Sequence, residues 1–425
     1  MRVCIFEDNG VRLLEPLTLT RPAFALWCGA RTLLDRQRSA FGANQEGLWV
    51  RPELVESCRL YYRDLPVNDE SWLREARVVL VNARWLPPQE ASGWDTPGVG
   101  VVDGQVAWLV LEAGACLPDD TEAIERWLAD QRRRLPERDA GGTLLDYLWE
   151  VVDENGVMLA RDKAWFRDSH AHRAPPSQVA VQGSADRFLL AEDATVEPFV
   201  TADTRGGPVL IDRGAIVHSF TRLEGPCYIG AGTQILGAKI RAGTTLGPQC
   251  RVGGEVEASI MQGFANKYHD GFLGHSYVGE WVNLAAGTQT SDLRNDYDTV
   301  RVIVAGQRRP TGRTKVGSFI GDHTKTALGA LLNTGSAIGA FANLLPSGTL
   351  LPPVVPSFCQ LNRGQLQEQW DLRKLFATAA TAMRRRGQTL TDQHKDLYYA
   401  LYERTAADRA RAIRDGEVRQ LRRTV

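Results

Sequence analysis

Aliphatic residues recur every six positions at Leu223, Ile229 and Ile235, and after a one-residue slip again at Ile240, Leu246 and Val252. The period returns at Phe272, Val278 and Leu284, and once more at Leu332, Ile338, Leu344 and Leu350. Glycine often follows directly, as in Ile229-Gly230, Leu246-Gly247, Val252-Gly253, Val278-Gly279 and Ile338-Gly339. A helix repeats at 3.6 residues and a strand at two, so neither alone produces this spacing. A triangular coil does: each side consumes six residues, points one aliphatic into a narrow interior and turns on a small residue. The pattern predicts a parallel β-helix over 190–358. A glycine-rich β-sandwich would not hold the period.

The texture differs on both sides of the repeat. Residues 1–170 alternate apolar runs ("RVCIFED", "ARVVLVNARWL", "GQVAWLVLEAG") with helix-like stretches such as "DDTEAIERWLADQRRR", the pattern of an α/β domain. The stretch "HAHRAPPSQVAVQGSAD" reads as a linker, 171–189. Over 359–425, Leu366, Trp370, Phe376, Ala379 and Met383 fall near one helical face, and this basic tail is expected to be a helical appendage capping the β-helix.

Composition narrows the partners. Fifty basic against fifty-one acidic residues leave no field for nucleic acid or a membrane surface, which favours small molecules. Seven scattered cysteines with no CxxC pair suit neither a disulfide framework nor a zinc site. With no signal-like apolar segment and no long apolar run, the expected location is the cytoplasm.

The aliphatic-glycine repeat over residues 190–358 resembles the left-handed β-helix of the hexapeptide-repeat acyltransferases. With an α/β domain in front, the chain resembles the bifunctional enzymes that join an N-acetylglucosamine-1-phosphate uridyltransferase to a glucosamine-1-phosphate N-acetyltransferase. It is more similar still to a divergent branch of sugar nucleotidyltransferases that shares "LEPLTLTRPAFALWCGARTLLDR" and "NKYHDGFLGHSYVGEWVNLAAGTQTSDLRNDY". The resemblance implies a homotrimer, acetyl-CoA as acyl donor lying between adjacent β-helices, and an amino-sugar phosphate held beside a histidine that acts as general base. On the pattern His-x-Tyr-x-Gly followed by Asn-x-x-x-Gly-Thr, that histidine is His275, with Tyr277 and Asn283 as acceptor-binding residues. Lys267 corresponds to a lysine that meets phosphate, and Asn295 and Tyr297 to an Asn-Tyr pair after the Gly-Thr. The interval from His275 to Asn283 is shorter than in the bifunctional enzymes, and extra residues precede Asn295.

The residues support that chemistry independently. Attack of an amine on a thioester needs a base, and imidazole titrates nearest to neutrality. The loop "QGFANKYHDG" breaks the repeat immediately before His275, and loops inserted into β-helices commonly build sites. His323 and His269 are its rivals. Turn N–H groups near Gly274, Gly287 or Gly329 are candidate oxyanion donors. A second interruption carries Arg301, Arg308, Arg309, Arg313 and Lys315, of which Arg308 and Arg309 are candidates for CoA phosphates, while the small Ala330 and Ser347 are candidates for the pantetheine arm.

The N-terminal domain is poorer in expected parts. Nucleotidyl transfer needs a glycine-rich phosphate loop, a basic residue on it and an acidic residue to hold Mg2+. No "GxGTR" segment is present. Arg21 and Arg12 are the candidate nucleotide-binding residues, Asp8, Asp103 and Glu7 the candidate metal ligands, and the expected acidic position offers Asn82 and Arg84 instead. Two other readings follow: a nucleotidyltransferase using UTP or dTTP whose β-helix only trimerises it, and a non-catalytic sugar-nucleotide binder.

Overall fold

The computed structural model describes residues 2–42, 45–345, 348–369 and 371–421, with side chains to residue 416. Ser347 and Trp370 lie outside the described residues.

The N-terminal domain is built on one six-stranded sheet. Strands β1 (Arg2–Phe6), β2 (Gln45–Trp49), β3 (Val78–Asn82), β4 (Gly98–Val102), β5 (Gln105–Leu111) and β6 (Glu137–Asp139) lie in the order β2-β1-β3-β5-β4-β6. β1 runs parallel to β2 and β3, while β5 is antiparallel to β3 and β4. Alternate residues of β1 face opposite ways: Val3 and Ile5 share a core with helix α1 (Leu33–Phe41), Cys4 and Phe6 with helix α2 (Thr121–Arg134). Such a sheet, covered on both sides, places loops and ligands at the carboxyl ends of its parallel strands.

The middle of the chain is a parallel β-helix of three faces. The first is a ten-stranded sheet from His172–Arg173 to Val354–Val355. The second runs from Thr195–Val196 to Asn266–Lys267, and continues through the bridges Asn266↔Asn283↔Lys325 to Cys359–Asn362 and its hairpin partner Gln365–Glu368. The third runs from Ala180–Gln182 to Phe272–Gly274, followed by the pair Gln289–Thr290 and Leu331–Leu332. Aliphatics stack in register inside, as in Ile211↔Ile229↔Leu246↔Met261↔Val278. The one-residue slip between Ile235 and Ile240 is a shorter side on the way from the second face to the third.

Several sequence expectations shift. Phe272 and Leu350 are not interior; Leu273 and Leu351 are buried in their place, because strand neighbours face opposite ways and a one-residue slip exchanges them. The 171–189 stretch is not a spacer: His172–Arg173 pairs antiparallel with Phe188–Ala191, and Ala180–Gln182 is a strand of the third face. Leu366 lies on a hairpin strand, not a helix. The tail's helices are α4 (Leu372–Arg384), α5 (Asp392–Arg404) and α6 (Ala406–Leu421), numbered after the long α3 (Leu148–Ser169) that ends the N-terminal domain.

The tail docks on a column of stacked rings. Phe264, Trp281, His323, Phe341 and Phe358 all turn the corner from the first face to the second with positive φ. Their rings stack in sequence, with centroids 4.4 Å apart for Phe264 and Trp281, 4.6 Å for His323 and Phe341, and 5.0 Å for Phe341 and Phe358. Each such pair contributes about 0.5–1.5 kcal/mol beyond burial, which offsets the strain of a left-handed conformation in a bulky residue. Phe376 of α4 and Tyr398 of α5 close edge-on over Phe341. No described helix is long and apolar enough to cross a membrane.

The N-terminal domain covers the first face. Trp27 stacks on Tyr228 at 5.7 Å, the Thr245 hydroxyl donates to the Gly29 carbonyl, and α3 packs alongside. The second interruption of the repeat is a hairpin, Arg301–Val304 with Gln307–Pro310, whose Val302 and Val304 join the same core as Trp149 and Phe319.

Candidate functional site

His275 leaves the third face at the corner leading to the first, with φ +44°. Its backbone is pinned on both sides, N–H to the Glu257 carbonyl at 3.0 Å and carbonyl to the Gly317 N–H at 2.9 Å. Its Nδ1 lies 2.7 Å from Asp292 Oδ2. A carboxylate only accepts, so Nδ1 carries a proton, and in the neutral ring Nε2 keeps its lone pair. Both side chains are largely but not wholly enclosed, 19% exposed for His275 and 11% for Asp292. Gly274 permits the approach, since a Cβ there would collide with the Asp292 carboxylate. The pair is therefore an imidazole with a fixed tautomer and orientation, its free nitrogen available to take a proton. Glu257, Lys315 and Arg241 form an ion-pair cluster nearby on the third face, with Nζ of Lys315 3.4 Å and Nη1 of Arg241 3.3 Å from Glu257.

The other expected acceptor residues are not gathered around His275. Tyr277 lies on the first face, fully buried, with its hydroxyl accepting from the Trp27 N–H at 2.8 Å and donating to Gln262 at 2.6 Å. It joins the domains. Asn283 lies on the second face, accepting from the Asn266 amide at 2.6 Å. One coil spreads His275, Tyr277 and Asn283 over two faces and a corner because the chain turns every six residues. Lys267 is buried and donates to the carbonyls of Gly253 and Gly271 at 2.9 and 2.6 Å, so it ties two coils together and does not reach a phosphate. Asn295 and Tyr297 are exposed on the loop that follows Asp292.

Burial pushes the Lys267 ammonium down to about 8, below the ordinary lysine value near 10.4. Between those values the unfolded chain holds more protons than the folded one, so stability from this group rises with pH through that window. Lys267→Met is expected to cost about 2 kcal/mol at pH 7 by leaving buried carbonyls unpaired. The wild-type advantage in Tm over this variant should grow from pH 8 to 10, as thermal melts would show.

The CoA candidates are scattered too. Ala330 is wholly buried in the β-helix interior, where a small residue serves the coil and no ligand can touch it. Arg308 is exposed and Arg309 half-buried on the hairpin arm. The backbone N–H groups of Gly274, Gly287 and Gly329 are already bonded, to the Thr290 hydroxyl and the carbonyls of Asp270 and Ala286, so none is free for an oxyanion. His323 belongs to the ring column; its Nε2 meets the Tyr398 hydroxyl at 3.0 Å, and burial holds its imidazole well below the ordinary range, hence neutral. His269 is exposed. Asp292 escaped sequence reasoning; it stands 17 residues after His275, one coil on, and the register of the repeat was the signal for it.

At the carboxyl ends of β1 and β3, the crevice of the N-terminal domain is filled by the chain itself. Arg84 donates to both oxygens of Asp8, Nε at 2.8 Å and Nη2 at 2.6 Å, and reaches Asp146 at 2.5 Å. Arg51 pairs with Glu7 at 3.0 Å. Burial alone would raise the Asp8 carboxyl, but the Arg84 guanidinium and the Asn82 amide outweigh it and hold the pKa below its ordinary value. Gly10 sits under Arg84, and any Cβ there would collide with the guanidinium. These residues do not fit Mg2+: the carboxylate oxygens a metal needs are already held by an arginine, and among the described residues no three His, Cys, Asp or Glu side chains are grouped for a metal. Asp103 is an exposed turn residue between β4 and β5. Arg21 is buried at the domain interface, paired with Asp322 and with Glu280 at 3.4 Å, and Arg12 is exposed. Neither lines a phosphate cradle.

Residues 3–171 match the sugar nucleotidyl transferase family. A bifunctional sugar-1-phosphate nucleotidylyltransferase/acetyltransferase from Sulfurisphaera tokodaii is 37% identical over 114 residues, 26% of this chain and 28% of that one. The bifunctional protein GlmU of Jannaschia sp. is 35% identical over 248 residues, 53% of this chain and 50% of its own. This chain is similar to part of each of those bifunctional enzymes. It spans half or less of the length of each. GlmU of Methylibium petroleiphilum is 31% identical over 230 residues, 52% of this chain and 43% of that one. Among solved structures, a mutant of AntD, an N-acyltransferase from Bacillus cereus in complex with dTDP and coenzyme A, matches at 10% identity over 50% of this chain and all of that one; its TM-score of 0.19 carries no argument.

Proposed function

We propose that this chain is a CoA-dependent N-acyltransferase of sugar-nucleotide biosynthesis, acting on an amino-sugar phosphate such as glucosamine 1-phosphate. The His275–Asp292 pair carries the reading. In the reaction, the acceptor amine attacks the thioester carbonyl of acetyl-CoA, forming the C–N bond as the C–S bond breaks. His275 Nε2 takes the amine proton, Asp292 stabilises the imidazolium, and the proton then passes to the departing CoA thiolate. No covalent enzyme intermediate forms. Asn295 and Tyr297, exposed beyond Asp292, are the acceptor contacts in this reading, with Lys315 available to the sugar phosphate.

A cytoplasmic homotrimer is part of the proposal. The N-terminal domain covers the first face and the tail covers part of the second, which leaves the third, with His275 at its edge, for a neighbouring subunit. Nucleotidyl transfer with UTP or dTTP is not part of it, since the occupied Asp8–Arg84 crevice stands against that alternative.

Purified protein is expected to release free CoA thiol from acetyl-CoA only when glucosamine 1-phosphate or another amino-sugar phosphate is added, read by a thiol reagent. A panel of amino sugars and their phosphates giving no acceptor-dependent thiol would overturn the proposal and favour the sugar-nucleotide binder.

A further inference from the structure

Between α4 and the second face runs a groove of two connected cavities of about 450 and 570 Å³, sharing Lys325, Lys374 and Thr378. Its wider part has an aromatic wall, Phe264 stacked on Trp281, an amide wall, Asn266 bonded to Asn283, and a cationic rim of Lys325, Lys374, Arg385 and Arg386. No carboxylate lines that part. The two acids of the narrower part are committed: Glu368 accepts from Arg409 and Tyr402, and Asp371 caps α4 by accepting from the Lys374 backbone N–H. Among the described residues none of the four cations pairs with a carboxylate. Lys325 has only the His323 carbonyl at 3.3 Å, and Arg386 Nε and His323 Nδ1 are buried without any partner.

We propose that this groove is a second ligand site, for a phosphorylated molecule carrying two or more negative charges. Four converging cations repel one another, and an anion seated among them removes that repulsion while satisfying donors that otherwise go unpaired. The aromatic and amide walls provide room for the uncharged remainder of such a ligand. The groove is separate from the candidate catalytic pair. His275 turns the corner between the third and first faces, the edge opposite the second face, so a molecule in the groove does not touch His275 of the same chain.

Calorimetric titration of the full chain with inorganic pyrophosphate and, separately, with coenzyme A tests the site without any turnover. Pyrophosphate should bind, and both Lys325→Met/Arg386→Ala and Arg385→Ala/Arg386→Ala should weaken it by about tenfold or more, while Lys239→Ala on the third face leaves it unchanged. Two variants are used because Lys325 is partly buried; the arginine pair keeps the test decisive if the first does not fold. Coenzyme A binding weakened about tenfold by the same variants assigns the groove to a nucleotide-bearing ligand, and coenzyme A binding that they leave unchanged assigns it to phosphate groups alone. Pyrophosphate failing to bind at about 5 mM, or unchanged pyrophosphate binding in a folded arginine-pair variant, would overturn the proposal. Because no turnover is measured, its failure is distinguishable from failure of the His275 reading.

Discussion

His275→Ala is expected to lower kcat for acyl transfer by roughly 10²–10⁴-fold with a much smaller change in KM for acetyl-CoA, because the lost group moves a proton and does not hold the donor. Asp292 supplies the sharper test. Asp292→Asn keeps the size of the side chain but can turn an N–H toward Nδ1, which moves the ring proton to Nε2 and removes the base. Asp292→Ala leaves the ring free to adopt either tautomer. If Asp292 positions the base, the asparagine variant should be at least as impaired as the alanine variant, with similar Tm values for both. A purely structural Asp292 would give the opposite order, with activity following Tm. Unchanged turnover in His275→Ala would move the chemistry elsewhere on the chain.

The parts of this molecule legible in the sequence are those where one residue acts alone. Ile229, Leu246 and Val278 each face the interior of the coil by themselves, so their spacing reads directly as a β-helix. His275 is visible because a loop breaks the repeat just before it. Its partner is harder to see, since Asp292 is adjacent only through the stacking of coils. The same geometry misleads for Tyr277 and Asn283, which are near His275 in sequence but lie on other faces. A lysine in a polar segment also looks like a phosphate ligand until its burial among carbonyls is known, as with Lys267. In the N-terminal domain the opposite holds: the missing acid in "VVLVNARWLP" was already an anomaly, and Arg84 folding back onto Asp8 explains it.

That substitution of an arginine for a metal leads to the second large effect. Asp8→Ala is expected to destabilise the protein by about 3–5 kcal/mol, because it strips a buried guanidinium of its main partner. Asp146, 31% exposed, still pairs with Arg84 and keeps the loss toward the lower figure. The pH dependence has a definite sign. A carboxyl whose pKa is lowered by folding contributes stability above its unfolded value, near 4, and loses it as pH falls through the folded value. The difference in unfolding free energy between wild type and Asp8→Ala should therefore be flat from pH 5 to 7 and shrink below about 4, measured by urea denaturation at each pH. Millimolar Mg2+ should leave the wild-type Tm unchanged, since both oxygens of Asp8 are already held by Arg84 and Oδ2 also by Asn82, and UTP with a sugar 1-phosphate should release no pyrophosphate. A rise in Tm with Mg2+, or pyrophosphate release abolished in Asp8→Ala, would show that Arg84 swings aside and that the crevice works as a nucleotidyltransferase site.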